Sequence, residues 1–385
     1  RNTPRADLPL VDEQALLTPP SLPDPPEVGV LGIEDPEKIV RTAPTDQPVV
    51  LAGDGEGIVD AASAGLLTGH ELVLYSASFV DDADALREQI DRDGALVLTD
   101  TNRRAARRWG TVRDNTGITE RAGQTALERD WKDQRLEVFE GATDDQATVT
   151  ESRGGVWADA TSYGNSVSLT PEDNPTFAVD GDVNTAWRTG GFSAATGERL
   201  KVTYRDRITT DRITLLQAVG GVRTRTIARV GISFDGGPST TYELDASSRP
   251  DRPADDGTAG QVITFPTRSF RTIDITIEGT DPDRLRRYDG ISAVGFAEVV
   301  VTDLDGTRPV ADEVVRLPTD LLDVAGHDAL DRSLAVVLTR LRVAGTVAVR
   351  SDPERSMART FSLPDARSFA VTGQIRLSNR AVGDN

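Results

Sequence analysis

The sequence predicts a mixed fold in which a small α/β domain with a parallel sheet precedes an all-β jelly-roll sandwich and the start of a further β domain. Short apolar runs alternate with helix-like stretches between residues 48 and 109, which is typical of βαβ units. Farther along, apolar and polar residues alternate with period two, which indicates half-buried strands. The predicted boundaries are 31–147 for the α/β domain, 148–303 for the sandwich, and 304–385 for a connector with the partial β domain.

The composition excludes several classes of site and partner. The 385 residues leave room for two or three domains, and the absence of cysteine excludes disulfides, thiolate metal sites and a cysteine nucleophile. Seven prolines among the first 26 residues predict a linker over residues 1–30. The net charge of −19 disfavours nucleic acid, because its phosphates would be repelled. With no run of 18 apolar residues and no signal peptide at its start, this segment is expected to be soluble and not to insert into a membrane.

The α/β domain begins with a glycine-rich turn of sequence GDGEG at residues 53–57. It follows the first predicted strand, where dinucleotide-binding folds keep their phosphate loop. Asp54 and Glu56 would repel an anion there, and the spacing is GxGxG instead of GxGxxG. A tight turn with a helix cap is therefore favoured over nucleotide binding. The predicted strands of this domain are 49–52, 72–75 and 95–98. The first predicted helix follows the glycine-rich turn and ends near residue 67, and the other two span 82–90 and 103–109.

Four arginines in the last of these helices form a local basic cluster. Arg103, Arg104, Arg107 and Arg108 would lie along one side of the helix. Solvated charge that balances the acidic remainder explains them better than a binding role.

The sandwich is predicted from about eight strands in roughly 150 residues, the number expected of two packed antiparallel sheets. Trp157 and Trp187 are placed in its core. The predicted strands lie at 156–161, 200–204, 213–215, 230–234, 242–244, 262–265, 273–277 and 296–301.

A short acidic loop precedes Trp187 and has the spacing of a cation site. Asp180 and Asp182 flank a glycine, and the hydroxyl of Thr185 follows. Carboxylates, hydroxyls and backbone carbonyls are the ligands that Ca²⁺ prefers. A helix–loop–helix calcium loop is excluded, because counting from Asp180 puts Thr185 where glycine is needed and Gly191 where glutamate is needed. A plain acidic turn remains the alternative for the loop taken alone.

The segment from 156 to 301 resembles the discoidin family, also called the coagulation-factor type C or galactose-binding-like domain. The matching motifs are AVDGD at 178–182 with Thr185 and Trp187, GERLKV at 197–202, and AEVVV at 297–301. In metal-bearing members of that family, these positions hold a cation through side chains and backbone carbonyls. The resemblance implies a structural Ca²⁺ with the ligands Phe177, Asp180, Asp182, Thr185, Ala297 and Glu298.

A sugar site, if present, is expected on loops at one end of the sandwich, because strands provide a rigid platform and loops carry recognition. Tyr163 and Phe192 are the aromatic residues predicted to stack on a sugar ring. Asn165, Arg188 and Arg223 are predicted to donate hydrogen bonds to hydroxyl groups. A packing role in the core or within a loop is the alternative for each aromatic residue.

Six further motifs are spread over the chain from residue 49 onward: VVLAGDG at 49–55, LYSAS at 74–78, TDTNRR at 99–104, RRWG at 107–110, YGN at 163–165 and TPED at 170–173. With these motifs and its order of elements, the chain resembles the extracytoplasmic region of the actinobacterial α-(1→3)-arabinofuranosyltransferases. The resemblance implies a non-catalytic, glycan-facing region outside the cytoplasmic membrane, next to the membrane domain of a longer parent chain where arabinosyl transfer occurs. Residues 359–364 resemble the opening of a second galactose-binding-like domain, which suggests that the sequence is a piece of that parent.

Catalytic chemistry has few carriers in this chain. His70 and His327 are the two histidines, and each is expected to be exposed, without a nucleophile at a recognisable spacing. No pair among the 62 acidic residues is singled out for acid–base catalysis. The favoured function is a carbohydrate-binding accessory region that contacts arabinan or arabinogalactan-type glycan. The alternatives are a purely structural spacer with a structural Ca²⁺ and no glycan affinity, and a free-standing hydrolase.

Overall fold

A computed structural model describes residues 43–104, 119–124, 138–164, 170–218, 225–249, 260–281, 292–340, 354 and 357–373. The chain divides into two units at Pro44, and the elements below lie in the second. The predicted linker, most of the predicted helix at 103–109, and Arg107 and Arg108 fall outside the described residues. No described helix is long and apolar enough to span a membrane.

The described residues form three α-helices and fourteen strands. The helices are α1 (Gly55–Ser63), α2 (Ala83–Ile90) and α3 (Asp320–Ala325). The strands are β1 (Val49–Ala52), β2 (Val73–Tyr75), β3 (Ala95–Thr99), β4 (Val149–Ser152), β5 (Val156–Ala160), β6 (Trp187–Thr189), β7 (Arg199–Gln217), β8 (Thr226–Phe234), β9 (Thr240–Glu243), β10 (Gln261–Asp281), β11 (Val294–Val300), β12 (Glu313–Arg316), β13 (Ser333–Val337) and β14 (Arg359–Thr360).

The α/β domain contains a parallel sheet with the strand order β13-β3-β1-β2. Successive side chains on a strand point to opposite faces, so the apolar strands bury both faces of the sheet. Val50 and Leu96 pack on one face against α2 and α3, while Leu51 and Val97 pack on the other face against α1. The predicted parallel α/β fold is confirmed.

The glycine-rich turn after β1 is a helix cap. The Asp54 side chain accepts a hydrogen bond from the backbone N–H of Glu56 at 3.0 Å, which caps the N-terminus of α1. Gly53 and Gly57 allow the turn to approach the hydroxyls of Thr99 and Thr101, because a Cβ at either glycine would lie within 3 Å of both. This is the structure that the sequence predicts in preference to a phosphate loop.

The C-terminal part of the chain returns to the α/β domain, which differs from the assignment of 304–385 to a connector and a further β domain. β13 pairs in parallel with β3, and α3 contributes Leu321 and Leu322 to the core under the sheet. The sandwich is therefore inserted between β3 and β13. A short apolar run does not reveal which sheet it joins, so the sequence could not show this insertion. In the segment 359–364, which resembles the opening of a second galactose-binding-like domain, only Arg359–Thr360 forms a strand, β14, and the described residues 361–373 form none.

The sandwich is built around two long strands, β7 and β10, that pair with each other over most of their length. Their register shifts between Thr264 and Arg268 and again between Phe270 and Thr272. Such irregularities let strands bend from one layer of a sandwich into the other. The pairs 200–204 with 213–215, and 262–265 with 273–277, which were predicted as separate strands, are therefore halves of continuous strands.

One apolar core fills the space between the two layers. Trp187 is fully buried, stacks on Phe296 with ring centroids 6.1 Å apart, and donates its Nε1–H to the carbonyl of Ser162 at 3.0 Å. Its predicted core position is confirmed. Trp157 is only half-buried and lies on the outer face, beneath the guanidinium of Arg121 at 4.9 Å from the ring centroid. The predicted core position of Trp157 is wrong, because the strand alternation turns its side chain away from the core.

Candidate functional site

The acidic loop at 180–185 is shaped by short hydrogen bonds between its own side chains and backbone. Asp180 Oδ1 accepts from the backbone N–H of Asp182 at 3.0 Å, and Asp182 Oδ1 accepts from the N–H of Asn184 at 2.9 Å. Gly181 has a φ of 79°, a conformation that glycine adopts without strain. The loop therefore folds back on itself directly before β6.

Four oxygen atoms converge on one hydroxyl in this loop. Thr185 Oγ1 lies 2.9 and 2.8 Å from the two carboxylate oxygens of Asp180, 2.7 Å from the carbonyl of Asp182 and 3.5 Å from the carbonyl of Phe177. A hydroxyl has a single hydrogen and can donate to only one of them at a time. An excess of oxygens over hydrogens is the donor set of a hard cation, so these residues fit Ca²⁺.

The other predicted ligands, Ala297 and Glu298, lie at a β-bulge in β11. Phe296 is opposite Gln217 in β7, but Glu298 is opposite Leu216, so Ala297 is the extra residue. A bulge takes a residue out of the regular ladder and redirects the side chain beside it. Glu298 is brought close enough to the acidic loop for the charge of Asp180 to affect its pKa.

Glu298 is a buried carboxylate with a raised pKa. Its side chain is 2 % exposed, and Oε1 is buried without a hydrogen bond of ordinary length and angle. Burial, followed by the nearby Asp180 carboxylate, raises the pKa of Glu298 to about 7, although Arg308 and the backbone N–H of Gly181 oppose the change. The Arg308 guanidinium donates to Glu298 Oε2 at 3.0 Å. Sequence reasoning missed Arg308, because only the intervening turn brings it back to β11.

The predicted set thus combines two carboxylates with a hydroxyl and backbone carbonyls. The structure brings Phe177, Asp180, Asp182 and Thr185 together and places Glu298 beside them. Among the described residues there is no group of three or more His, Cys, Asp and Glu side chains arranged for a metal. A cation here would therefore depend on the Thr185 hydroxyl and the carbonyls as well as on the two acids.

The second candidate site lies at the other end of β11, on the loop after β6. Phe192 is 55 % exposed and is the most exposed aromatic side chain in the part of the chain that the structure describes. Its φ of 62° is unusual for a bulky residue. The backbone N–H of Ser193 bonds the carbonyl of Gly190 at 3.1 Å, so Phe192 occupies a tight turn. Two consecutive glycines before an aromatic residue are the sequence signal for this turn.

The structure corrects the prediction for Tyr163. This residue is 1 % exposed and belongs to the sandwich core, so its ring cannot stack on a sugar. It follows β5 on a segment that packs inward beside Trp187, whose indole bonds the preceding residue. Asn165 and Arg223, the other two predicted loop residues, fall outside the described residues.

Arg188 lies on β6 and pairs with an acid that the sequence did not single out. Its guanidinium nitrogen is 3.3 Å from Asp173 Oδ1. Burial raises the pKa of Asp173 to about 6, against the opposing effect of Arg188. Nothing in the spacing of the two residues, fifteen apart, indicates their contact. The pair forms a polar, charged site on the segment that leads into the Phe192 turn.

Comparison with solved structures finds two kinds of similar protein. One is the arabinofuranosyltransferase AftD from Mycobacteria, solved by cryo-EM, with a TM-score of 0.45, 15 % identity, and coverage of 71 % of this chain and 19 % of that chain. This chain therefore spans about a fifth of that structure. The other consists of carbohydrate-binding modules, among them modules of family 32.

Two such modules illustrate the second group. The module of NanJ from C. perfringens in complex with galactose has a TM-score of 0.27, 18 % identity, and coverage of 39 % of this chain and 97 % of that chain. The module of AlyQ in complex with 4,5-unsaturated mannuronic acid has a TM-score of 0.26, 19 % identity, and coverage of 37 % and 90 %. Both groups are those that the sequence motifs resemble. No protein-family model and no curated protein matches the sequence.

Proposed function

We propose that this chain is a non-catalytic carbohydrate-binding region of a cell-wall arabinofuranosyltransferase, and that its sandwich contacts arabinan or arabinogalactan-type glycan. The observation that carries the proposal is the exposed ring of Phe192 on a loop of the sandwich. More than half of the Phe192 side chain is exposed on a turn with a positive φ, and an exposed aromatic face can cover the apolar C–H surface of a sugar. The ligand class follows the resemblance of the sandwich motifs to the galactose-binding-like family.

A polar side chain for such a ligand lies four residues before Phe192 in the sequence. Arg188 precedes it on the same segment and carries five N–H donors, of which the contact with Asp173 engages one nitrogen. Sugar sites need both an apolar face and donors for hydroxyl groups. Because Tyr163 is buried, the proposed site depends on Phe192 as its aromatic platform and on Arg188 as its hydrogen-bonding residue.

We further propose that Ca²⁺ binds the acidic loop and has a structural role. Asp180, Thr185 and Glu298 would hold it with the carbonyls of Phe177, Asp182 and Ala297. A cation held by these residues would supply positive charge beside the carboxylates of Asp180 and Glu298, which otherwise repel each other. Because these residues come from the loop before β6 and from β11, shared binding of one ion would hold the two segments together.

The proposal also places this chain outside the cytoplasmic membrane, attached through other parts of the parent enzyme. We propose that it catalyses no transfer or hydrolysis by itself. His70 and His327 are exposed, as the sequence predicts. Two of the described carboxylates with raised pKa values, Asp173 and Glu298, each form an ion pair with an arginine.

The experiment is titration of the purified chain with arabinan and arabinogalactan, with Phe192→Ala as the site variant. We expect the variant to bind about tenfold more weakly, a loss of about 1.4 kcal/mol. The matched control is Phe369→Ala, which removes another exposed aromatic ring outside the sandwich and should leave binding unchanged. Equal binding by wild type and Phe192→Ala removes this site from contention, and release of sugar from arabinan shows that the chain is a hydrolase.

A rigid spacer without glycan affinity is the second candidate. It is favoured by the way in which the chain enters and leaves the sandwich. β4 and β12 pair side by side, and the N–H of Arg153 bonds the carbonyl of Asp312 at 2.8 Å. Paired entry and exit strands hold an inserted domain in a fixed position. Absence of any binding by the wild-type chain to either glycan would favour this function.

A further inference from the structure

A buried arginine lies beneath the turn that carries Phe192. Arg225 directly precedes β8 and is 7 % exposed. Its Nη2 donates to the carbonyl of Gly190 at 2.7 Å and to that of Ser193 at 3.1 Å, which are the two ends of the turn. One side chain therefore holds both ends of the segment in which Phe192 is the exposed residue.

The same arginine fixes the turn to a second loop. Its Nε–H donates to the carbonyl of Ser292 at 2.8 Å, and its backbone N–H donates to the Ser292 hydroxyl at 2.8 Å. Ser292 lies just before β11. The guanidinium thus joins the chain after β6, before β8 and before β11. Only the planar fork of arginine presents donors in several fixed directions, so lysine could not reproduce this set of bonds.

The turn needs such support because its conformation is unfavourable by itself. Position 192 has a positive φ, which glycine or asparagine normally occupies in a turn of this kind. Gly190 also has a positive φ, and a Cβ there would lie 2.6 Å from the Cβ of Ala195. Strained residues of this kind persist when surrounding contacts over-determine them, and they concentrate at ligand sites.

We infer that Arg225 is a positioning residue for the proposed glycan site: it clamps the turn at 190–193 so that the Phe192 ring is held in one orientation before a sugar arrives. This inference rests on the proposed function for its ligand, but the clamp itself is a property of the chain alone. A ring that is already fixed loses less conformational entropy on binding, so preorganisation increases affinity. Arg225 acts through Phe192 and makes no contact with the sugar.

The test follows the Phe192 ring directly, by fluorine NMR of protein labelled with 4-fluorophenylalanine. The Phe192 signal is assigned by its loss in Phe192→Leu. In the wild type we expect it to relax as a ring fixed to the protein does, with a shift distinct from that of free 4-fluorophenylalanine. In Arg225→Gln the Phe192 signal should shift toward that of the free amino acid and become narrower. Arg225→Lys, which keeps the charge and loses the fork, should give a similar change.

The control is Arg271→Gln, which removes another arginine that donates to two backbone carbonyls, those of Tyr204 and Arg205, on a different part of the sandwich. It should leave the Phe192 signal unchanged. Binding of arabinan is measured on the same proteins, and we expect Arg225→Gln and Arg225→Lys to bind about five- to tenfold more weakly than the wild type.

The outcomes separate the inference from the proposed function. A Phe192 signal that is unchanged in a folded Arg225 variant overturns the inference. If neither variant folds, a wild-type Phe192 signal that already has the shift of the free amino acid and the line width of a freely rotating ring overturns it without any substitution. Wild-type protein that binds no arabinan, in combination with a released ring in Arg225→Gln, supports the clamp and overturns the proposed function. Unchanged arabinan affinity in a variant with a released ring overturns the positioning role.

Discussion

The two ends of the sandwich differ in how their candidate sites are made. At the acidic loop, four of the six predicted Ca²⁺ ligands lie within nine residues, 177–185, and the other two are neighbours in β11. At the Phe192 end, Phe192 and Arg188 lie on one segment, but the turn that carries the ring is held by tertiary contacts from Arg225, which lies before β8. Spacing along the chain therefore defines the first site, whereas packing defines the second.

Tyr163 and Phe192 show what this difference means for interpretation. Both are aromatic residues beside glycines on loops of the same domain, and both were predicted to stack on a sugar. Tyr163 is buried in the core, and Phe192 is held out in solvent. The two rings differ because their loop segments pack differently, and the residues next to each ring in the sequence do not indicate this packing.

Tyr163→Ala should destabilise the protein by about 3–5 kcal/mol, because it removes a buried aromatic ring and leaves a cavity. Phe192→Ala should change the free energy of unfolding by no more than about 0.5 kcal/mol, since its ring packs on little. Unfolding in urea, followed by circular dichroism, measures both. Similar values for the two variants would contradict the distinction between a core residue and a presented one.

Calcium should stabilise the wild-type chain by binding at the acidic loop. At a free concentration a hundred times its Kd, a ligand that binds only the native state contributes about 2.7 kcal/mol. Asp180→Asn should abolish this stabilisation, because the Asp180 carboxylate is a predicted ligand. Asp182→Asn is the matched control, since only the carbonyl of Asp182 is a predicted ligand and asparagine can keep the turn. The measurement is the thermal midpoint with Ca²⁺ and with a chelator.

Two results would each overturn the metal site. One is a wild-type midpoint that is the same in excess Ca²⁺ and in chelator. The other is equal loss of the Ca²⁺ effect in Asp180→Asn and Asp182→Asn, which would indicate a general effect of charge on the loop.

At the Phe192 end, Asp173 should make stability depend on pH. Burial raises its pKa from 3.8 to about 6 in the folded protein, so the folded state binds a proton more tightly than the unfolded state. Stability therefore falls as pH rises from about 4 to about 6, and the cost above that range is on the order of 2 kcal/mol. Asp173→Asn should reduce the difference in unfolding free energy between pH 4.5 and pH 7.5. An unchanged difference would show that Asp173 is not held in a desolvated position.

The fold was largely predictable because most of its determinants are local. The cap at Asp54, the period-two strands and the acidic loop all depend on residues close in sequence. The insertion of the sandwich between β3 and β13 was not predictable, because Ser333–Val337 has the apolar pattern of a strand in any sheet. Arg225 was missed for a related reason. Its position before a strand does not indicate that it donates hydrogen bonds to three distant backbone carbonyls.

The smallest effect that separates the two ends is expected from Arg308, which pairs with Glu298 at the acidic loop. Its guanidinium places a positive charge beside an oxygen that a metal ion would use. Arg308→Gln should therefore tighten Ca²⁺ binding by about 1 kcal/mol, or roughly fivefold, because the pair is partly exposed and screened. In chelator the variant should be less stable than the wild type, since Glu298 loses its ion-pair partner in a buried position.

Arg212→Gln is the control, because it breaks an exposed ion pair elsewhere in the sandwich and should change neither the Ca²⁺ affinity nor the stability in chelator. Calorimetric titration with Ca²⁺ measures the affinity, and weaker binding by Arg308→Gln would show that Arg308 supports the loop instead of competing with the ion.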